Sequence, residues 1–97
     1  MPLFAMLARD KAGDGSHRQA VRPAHLAHLD SLGDALVLEG TFQTEEAKSK
    51  GSLVVIEAPD LATARALFDK DPYVREGVFE SVEISRFAIT VNKSAGR

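Results

Sequence analysis

Apolar runs of strand length alternate along the chain with two stretches whose apolar residues have helical spacing. The run PLFAMLAR (Pro2–Arg9) contains no polar alternation, which is typical of a central strand covered on both faces. Residues 18–36 then carry apolar residues at helical spacing. Pro23 suits a first turn, so we expect the well-formed helix to begin close to Arg22. The chain therefore begins with a strand followed by a helix.

The second half of the chain indicates three further strands and a second helix. Ala35–Gly40 and Gly51–Ala58 have the composition of strands, and the polar loop between them predicts a hairpin. Asp60 is a good N-cap for a helix that must end before Pro72, because a residue that precedes proline disfavours the helical conformation. A long last strand is predicted over Val78–Val91.

The order βαββαβ predicts a ferredoxin-like α+β sandwich, in which an antiparallel sheet carries two helices on one face. In the last strand the apolar residues that alternate with Ile84 lie on one face, and those that alternate with Phe87 lie on the other. The inward face thus switches, so we expect a bulge or bend near Ser85 and Arg86. Several strands are apolar on both faces, and two helices cover only one of them. We therefore predict a homodimer that pairs through the uncovered sheet faces.

Composition narrows the class of protein. The 97 residues fit one domain, with residues 92–97 as a polar tail, and 44% apolar residues with a net charge of -2 argue against nucleic acid as a partner. The absence of cysteine excludes disulfides and thiolate chemistry. No basic region precedes the first apolar run and no long hydrophobic segment follows it, so neither a signal peptide nor a membrane helix is expected. We expect a cytoplasmic protein.

A histidine lies in the middle of the apolar stripe of the first helix. With about 100° per residue and His25 at zero, Leu29 falls near 40° and Leu32 near 340°. Asp30 falls on the opposite side, and His28, near 300°, lies at the edge of the stripe. His25 is therefore expected on the face that packs against the sheet.

The stretch DKDPYVREG, at the end of the second helix, contains two carboxylates that point in different directions. With Leu61 at zero, Phe68 lies near 340° and Asp71 at about 280°, toward the core, whereas Asp69 points away from it. Pro72 then stops the helix with Asp71 held at the rim of the sandwich. Asp71 is therefore expected to approach the histidine of the first helix.

Such a histidine and aspartate pair has a chemical use. A carboxylate bonded to one imidazole nitrogen fixes the tautomer and supports the cationic form, which leaves the other nitrogen as a general acid or base. The alternative interpretation is structural, with the pair linking the two helices of a non-catalytic module for small-ligand binding or interaction. Residue types and spacing leave both interpretations open.

Three further side chains are candidates for binding a substrate. Arg22 flanks His25 and its guanidinium suits planar anions, Ser52 begins a strand and can donate a hydrogen bond, and Tyr73 is a candidate pocket wall. A surface arginine, a strand-start serine and a core tyrosine are the corresponding structural interpretations. No metal site is predicted, because His25 and His28 lack a third ligand at a recognised spacing. No cofactor is expected.

Several motifs resemble the YciI-like family in their order and separations. They are VRPAHLAHL (Val21–Leu29), EG before the central loop, GSLVVIEA, DPYVREGVFESVEI and the closing RF. The resemblance spans about residues 3 to 89. It implies a dimeric α+β barrel related in fold to muconolactone isomerase, with a candidate active site built around a His and Asp pair. On this sequence the pair is His25 and Asp71, and the family's serine after glycine on the third strand is Ser52.

The resemblance implies a class of function without naming a substrate, because one fold hosts unrelated functions. The leading hypothesis is a cofactor-independent enzyme of isomerase or lyase type for a small organic acid or ring-derived substrate. In it His25 is the general acid or base and Asp71 orients it, whereas in the alternative the protein only binds a ligand or a partner. Thr41 follows Gly40 where family members often have proline, which leaves the pocket rim undefined.

Overall fold

The computed structural model describes residues 1–97 and contains four strands and three helices. The elements are β1 (Leu3–Asp10), α1 (Ser16–Ser31), β2 (Leu36–Gln43), β3 (Ser49–Glu57), α2 (Leu61–Asp69), α3 (Pro72–Arg75) and β4 (Phe79–Phe87). The strands form one antiparallel sheet in the order β2-β3-β1-β4. This topology confirms the predicted βαββαβ α+β fold. None of the helices is both long enough and apolar enough to cross a membrane.

The core lies between the helices and one face of the sheet. Alternate residues of the central strands point to this face, as the strand period of two requires. Met6 of β1 pairs in register with Val54 of β3, and both are buried beneath Leu29 of α1 and Phe68 of α2. Each buried side chain of this size contributes about 1.5–3 kcal/mol of transfer free energy, so this layer fixes the helices on the sheet.

The opposite face of the sheet carries apolar side chains that no helix covers. Its largest exposed members are Leu7, Leu38, Phe42 and Phe87, with 39–46% of their surface accessible. The register places Leu7 of β1 opposite Leu53 of β3 and Leu38 of β2 opposite Val55 of β3, which is itself only 1% exposed, so apolar side chains run across three strands of this face. We call this surface the open sheet face. It is the surface that the sequence predicts to pair in a dimer.

Helix α1 spans residues 16 to 31, whereas the sequence predicted a well-formed helix from about 22 to 36. Its start is earlier because the Asp14 carboxylate accepts a hydrogen bond from the Ser16 amide at 2.9 Å, which satisfies one free amide of the first turn. Pro23 consequently lies inside the helix. The end is earlier because Gly33, at φ 55°, turns the chain into a short 3-10 turn before β2.

Strand β4 pairs with β1 without interruption from Ser81 to Phe87, so the bulge predicted near Ser85 and Arg86 is wrong. The change of apolar parity has another cause. Ile84 pairs with a residue of the helix-covered face, whereas Phe87 pairs with one of the open sheet face, so the strand presents apolar side chains to both faces. The irregularity in this ladder lies instead at the end of β1.

The ends of two strands also differ from the prediction. Strand β4 stops at Phe87, so residues 88–91 lie outside the sheet, whereas β2 continues to Gln43, three residues beyond its predicted end at Gly40. The extension of β2 is possible because Thr41 and Phe42 pair with Ser52 and Gly51, and because β3 begins at Ser49, which pairs with Gln43. The hairpin is therefore longer and its loop shorter than the polar composition indicated.

Candidate functional site

His25 and Asp71 meet between α1 and the start of α3, as the helical phases predicted. Nδ1 of His25 lies 2.8 Å from Oδ1 of Asp71, and the two residues are only 1% and 2% exposed. The same Oδ1 accepts the backbone N–H of Tyr73 at 2.9 Å. Because an ionised Asp71 can only accept, the proton of a neutral imidazole is placed on Nδ1 and the lone pair on Nε2.

Helix α3 was not predicted, and it explains how Asp71 is held. Asp71 is the N-cap of this helix, and Pro72 is its first residue. The fixed φ of proline suits a first helical position, and an aspartate before it suits the N-cap. Pro72 thus ends one helix and begins another, and the junction turns the Asp71 carboxylate inward. The N-cap preference of aspartate before proline was the sequence signal for this helix.

The second ring nitrogen of His25 faces the edge strand β2. Nε2 is the only fully buried side-chain polar atom in the chain without a hydrogen-bond partner. The Glu39 carboxylate oxygen Oε1 lies 3.8 Å from it, too far for a hydrogen bond, and the Glu39 side chain is 24% exposed. The imidazole therefore lies between a bonded carboxylate and a second, partly solvated one, an arrangement that suits proton exchange at Nε2.

The ring of Tyr73 packs against one face of the His25 imidazole. Its ring stacks on that of His25 with centroids 3.8 Å apart and planes inclined by 11°, and it meets the Phe79 ring edge-on at 5.7 Å. Burial raises the pKa of Tyr73 above 10, an effect that the positive charge of Arg18 opposes. The candidate pocket residue is thus a core residue that packs directly against the histidine.

Arg18 is the main residue that the sequence reasoning missed. Its guanidinium bonds the Asp10 carboxylate twice, at 2.7 and 3.0 Å, donates to the Ser52 hydroxyl at 2.7 Å, and lies 4.6 Å from the centre of the Tyr73 ring. Burial disfavours its charge, but the hydrogen bond and charge of Asp10 prevail, so the pKa of Arg18 is raised. A helix extended by two turns would have placed Arg18 about 20° from His25 in phase.

Ser52 and Arg22 lie in different surroundings. Ser52 is buried and its hydroxyl accepts from Arg18, so it contacts the site through that guanidinium. Arg22 is exposed and lines, with Arg18, a cleft of about 730 Å³ between the loop after β1 and the β2–β3 hairpin. We call this space the basic cleft. Neither His25 nor Asp71 lines it, and Arg22 is the only predicted site residue that does, so Arg22 lies apart from the buried pair.

The sequence of residues 2–88 matches the family model of the YCII-related domain. The chain belongs to this family. Protein YciI of Escherichia coli O6:H1 is 38% identical over 93 residues, covering 88% of this chain and 95% of that protein, and Protein YciI of Shigella flexneri matches with the same figures. Membership of the YCII-related family confirms the resemblance that the RPAHL and DPY motifs indicated.

Solved structures share the fold of this YCII-related protein. The 5-chloro-2-hydroxyhydroquinone dehydrochlorinase TftG from Burkholderia phenoliruptrix AC1100, in complex with 2,5-dihydroxybenzoquinone, superposes with a TM-score of 0.80 at 24% identity, covering 89% of this chain and 93% of that one. SnoaB, a cofactor-independent oxygenase from Streptomyces nogalater, superposes with a TM-score of 0.60 at 12% identity, covering 97% and 99%. At these identities the likeness concerns the fold.

Proposed function

We propose that this YCII-related protein is a cofactor-independent acid/base enzyme of isomerase or lyase type for a small organic acid or ring-derived substrate. The observation that carries the proposal is the state of His25, whose Nδ1 is bonded to a buried carboxylate while Nε2 has no partner. An imidazole fixed in this way holds a lone pair ready at one atom, and a general base of this kind contributes about 10²–10⁴-fold to a rate.

In the proposed reaction Nε2 of His25 removes a proton from the substrate. In an isomerisation the same proton returns to another atom. In an elimination the electron pair of the broken bond to hydrogen forms a double bond as the leaving group departs with its own pair. Asp71 balances the positive charge of the imidazolium while the proton resides there. Arg22 is assigned to binding substrate oxygens directly. Ser52 is assigned to binding them through Arg18, to which its hydroxyl is bonded.

Two solved structures with this fold support the proposal that the protein acts on small molecules. TftG is a dehydrochlorinase seen with 2,5-dihydroxybenzoquinone, and SnoaB is a cofactor-independent oxygenase. Removal of hydrogen chloride is an elimination, which supports the lyase alternative in particular. The proposed partners are accordingly a small-molecule substrate and a second copy of the chain, docked through the open sheet face.

A non-catalytic role is the second candidate, and the burial of the pair favours it. His25 is 1% exposed, and neither His25 nor Asp71 lines the basic cleft or the cleft beside Leu7 and Phe42. On this alternative the pair links α1 to α3 in a small-ligand-binding or interaction module. Removal of one partner then leaves the other buried and unpaired, which costs about 1–3 kcal/mol of folding stability.

The variant Asp71→Asn separates the two candidates. Both hydrogen bonds of Asp71 end on Oδ1, and an asparagine oxygen at that position accepts both, so helix α3 and the histidine tautomer are retained. Only the negative charge is lost. We expect a stability change below about 1 kcal/mol, because the bonds remain, and a loss of turnover of at least about 100-fold. Asp69→Asn, two residues away and exposed, is the matched control.

Substrates are to be sought by incubating the protein with hydroxylated quinones, lactones and small ring acids, beginning with 2,5-dihydroxybenzoquinone, and by following their absorbance. Urea unfolding measures stability in parallel. Full turnover of an identified substrate by Asp71→Asn removes the assigned role of Asp71. Failure of His25 side-chain NMR signals to respond to any of these compounds supports the non-catalytic module.

A further inference from the structure

The basic cleft concentrates positive charge in a chain whose net charge is negative. Its 13 lining residues include five of the chain's 12 lysines and arginines but only two of its 14 acidic residues. The rest of the lining is polar or glycine except for one alanine. The cationic residues are Lys11, Arg18, Arg22, Lys48 and Lys50.

One of the two carboxylates of the cleft is paired with a cation. Asp10 forms the double hydrogen bond to Arg18, whereas Asp14 keeps its negative charge, because the side chain and then the amide of Ser16 lower the pKa of Asp14. The ion pairs of the structure join Arg18 to Asp10 and His25 to two carboxylates, and they include none of the other four cations. Three unpaired cations, Arg22, Lys48 and Lys50, therefore lie with Arg18 in a lining whose five cations outnumber its two carboxylates, and this excess of positive charge attracts anions.

Arg18 adds a fixed donor at the floor of the cleft. Its hydrogen bonds use Nε and Nη2 and leave Nη1 without a partner. Because His25 Nε2 is the only fully buried side-chain polar atom that lacks a partner, Nη1 retains contact with solvent, and Arg18 lines the basic cleft. Asp10, Ser52 and the Tyr73 ring hold the guanidinium in place, so little side-chain entropy is lost when Nη1 binds a ligand.

We propose that the basic cleft binds a small polyanion, a phosphate ester or a polycarboxylate, with Arg18 and Arg22 contacting its oxygens and Lys48 and Lys50 neutralising further charge. Guanidinium forks match the geometry of both groups, and an excess of three positive charges in the lining, five cations against two carboxylates, is more than one carboxylate neutralises. The proposal names a substrate class for the proposed function. Anion binding itself does not depend on that function, but the identification of the anion as the substrate does.

The test uses the single tyrosine of the chain. Tyr73 lies against Arg18, and the protein contains no tryptophan, so its fluorescence reports on the floor of the cleft. Citrate, inorganic phosphate and acetate are titrated into the full chain at constant ionic strength. We expect saturable binding of citrate or phosphate at least about tenfold tighter than that of acetate, because each added charged hydrogen bond is worth about that factor. A preference for phosphate indicates a phosphate ester, and a preference for citrate a polycarboxylate.

Variants locate the binding. Arg22→Gln and Lys50→Gln should each weaken binding of the preferred anion at least about fivefold by losing one charged contact. Arg65→Gln, an exposed arginine of α2 outside the cleft, should leave it unchanged. Equal, non-saturating responses to the three anions, or unchanged affinity in both cleft variants, overturn the proposal. Affinity is measured without turnover, so this failure leaves the acid/base role of His25 standing.

Discussion

The ring of Tyr73 lies flat against the imidazole of His25, with centroids 3.8 Å apart and planes inclined by 11°. The guanidinium carbon of Arg18 lies 4.6 Å from the centre of the same tyrosine ring. Tyr73 thus contacts both the buried histidine and aspartate pair and the floor of the basic cleft. A change in the electrostatic environment of Arg18 therefore acts on a ring that directly contacts the candidate acid/base group.

Tyr73 should ionise above pH 10, because burial raises its pKa more than the charges of Arg18 and Arg22 lower it. With a single tyrosine, the ultraviolet absorbance of tyrosinate measures this pKa directly. The raised folded-state pKa means that this group's contribution to stability is complete below pH 10 and is lost as pH rises through the folded value.

Tyr73→Phe is the control for this measurement. It keeps the stacked ring and removes the hydroxyl, so the free energy of unfolding should lose the part of its alkaline pH dependence that Tyr73 supplies. A tyrosinate midpoint at or below 10 in the folded protein would contradict the environment described for Tyr73.

Asp10→Asn should destabilise the protein by about 2–4 kcal/mol, because a largely buried guanidinium then loses its carboxylate. Urea unfolding measures the loss. Asp30→Asn, an exposed carboxylate on α1 without a side-chain partner, should change stability by less than about 0.5 kcal/mol. Similar losses in the two variants would show that the ion pair between Arg18 and Asp10 does not hold the start of α1 to the sheet.

The pairing of His25 with Asp71 was predictable because both follow from helical phase, which depends only on residue spacing. Arg18 was missed for a local reason. Pro23 was expected in the first turn of α1, so the start of the helix was predicted too late and the residues before it were not assigned to a helix. Glu39 was missed because the register of β2 shifts between Leu36 and Leu38, which breaks the alternation that would assign its face. Periodicity thus located the pair but not the charged residues around it.

Gly51→Ala should lower the melting temperature by about 5–20 °C, the shift that corresponds to about 1–3 kcal/mol of overpacking in a domain of this size. A Cβ at this position would collide with the backbone carbonyl oxygen of Ala8 and would lie 3.4 Å from the Phe42 ring. Gly40→Ala on the neighbouring strand is the matched control, because no atom lies within 4 Å of its added Cβ. Equal melting temperatures for the two variants would refute this close approach of β3 to β1.

The open sheet face gives the last prediction, that the protein is a homodimer which Leu7→Glu converts to a monomer. Leu7 lies on the central strand β1 and is 45% exposed in the isolated chain. A carboxylate buried there between two sheets would lose its hydration without a partner, which disfavours association. Leu61→Glu is a matched control, since Leu61 is 41% exposed but lies on α2, on the side of the sheet opposite the open sheet face. Multi-angle light scattering should give a dimer mass for the wild type and Leu61→Glu and a monomer mass for Leu7→Glu. A monomeric wild type, or a dimer that Leu7→Glu leaves intact, would exclude this face as the interface.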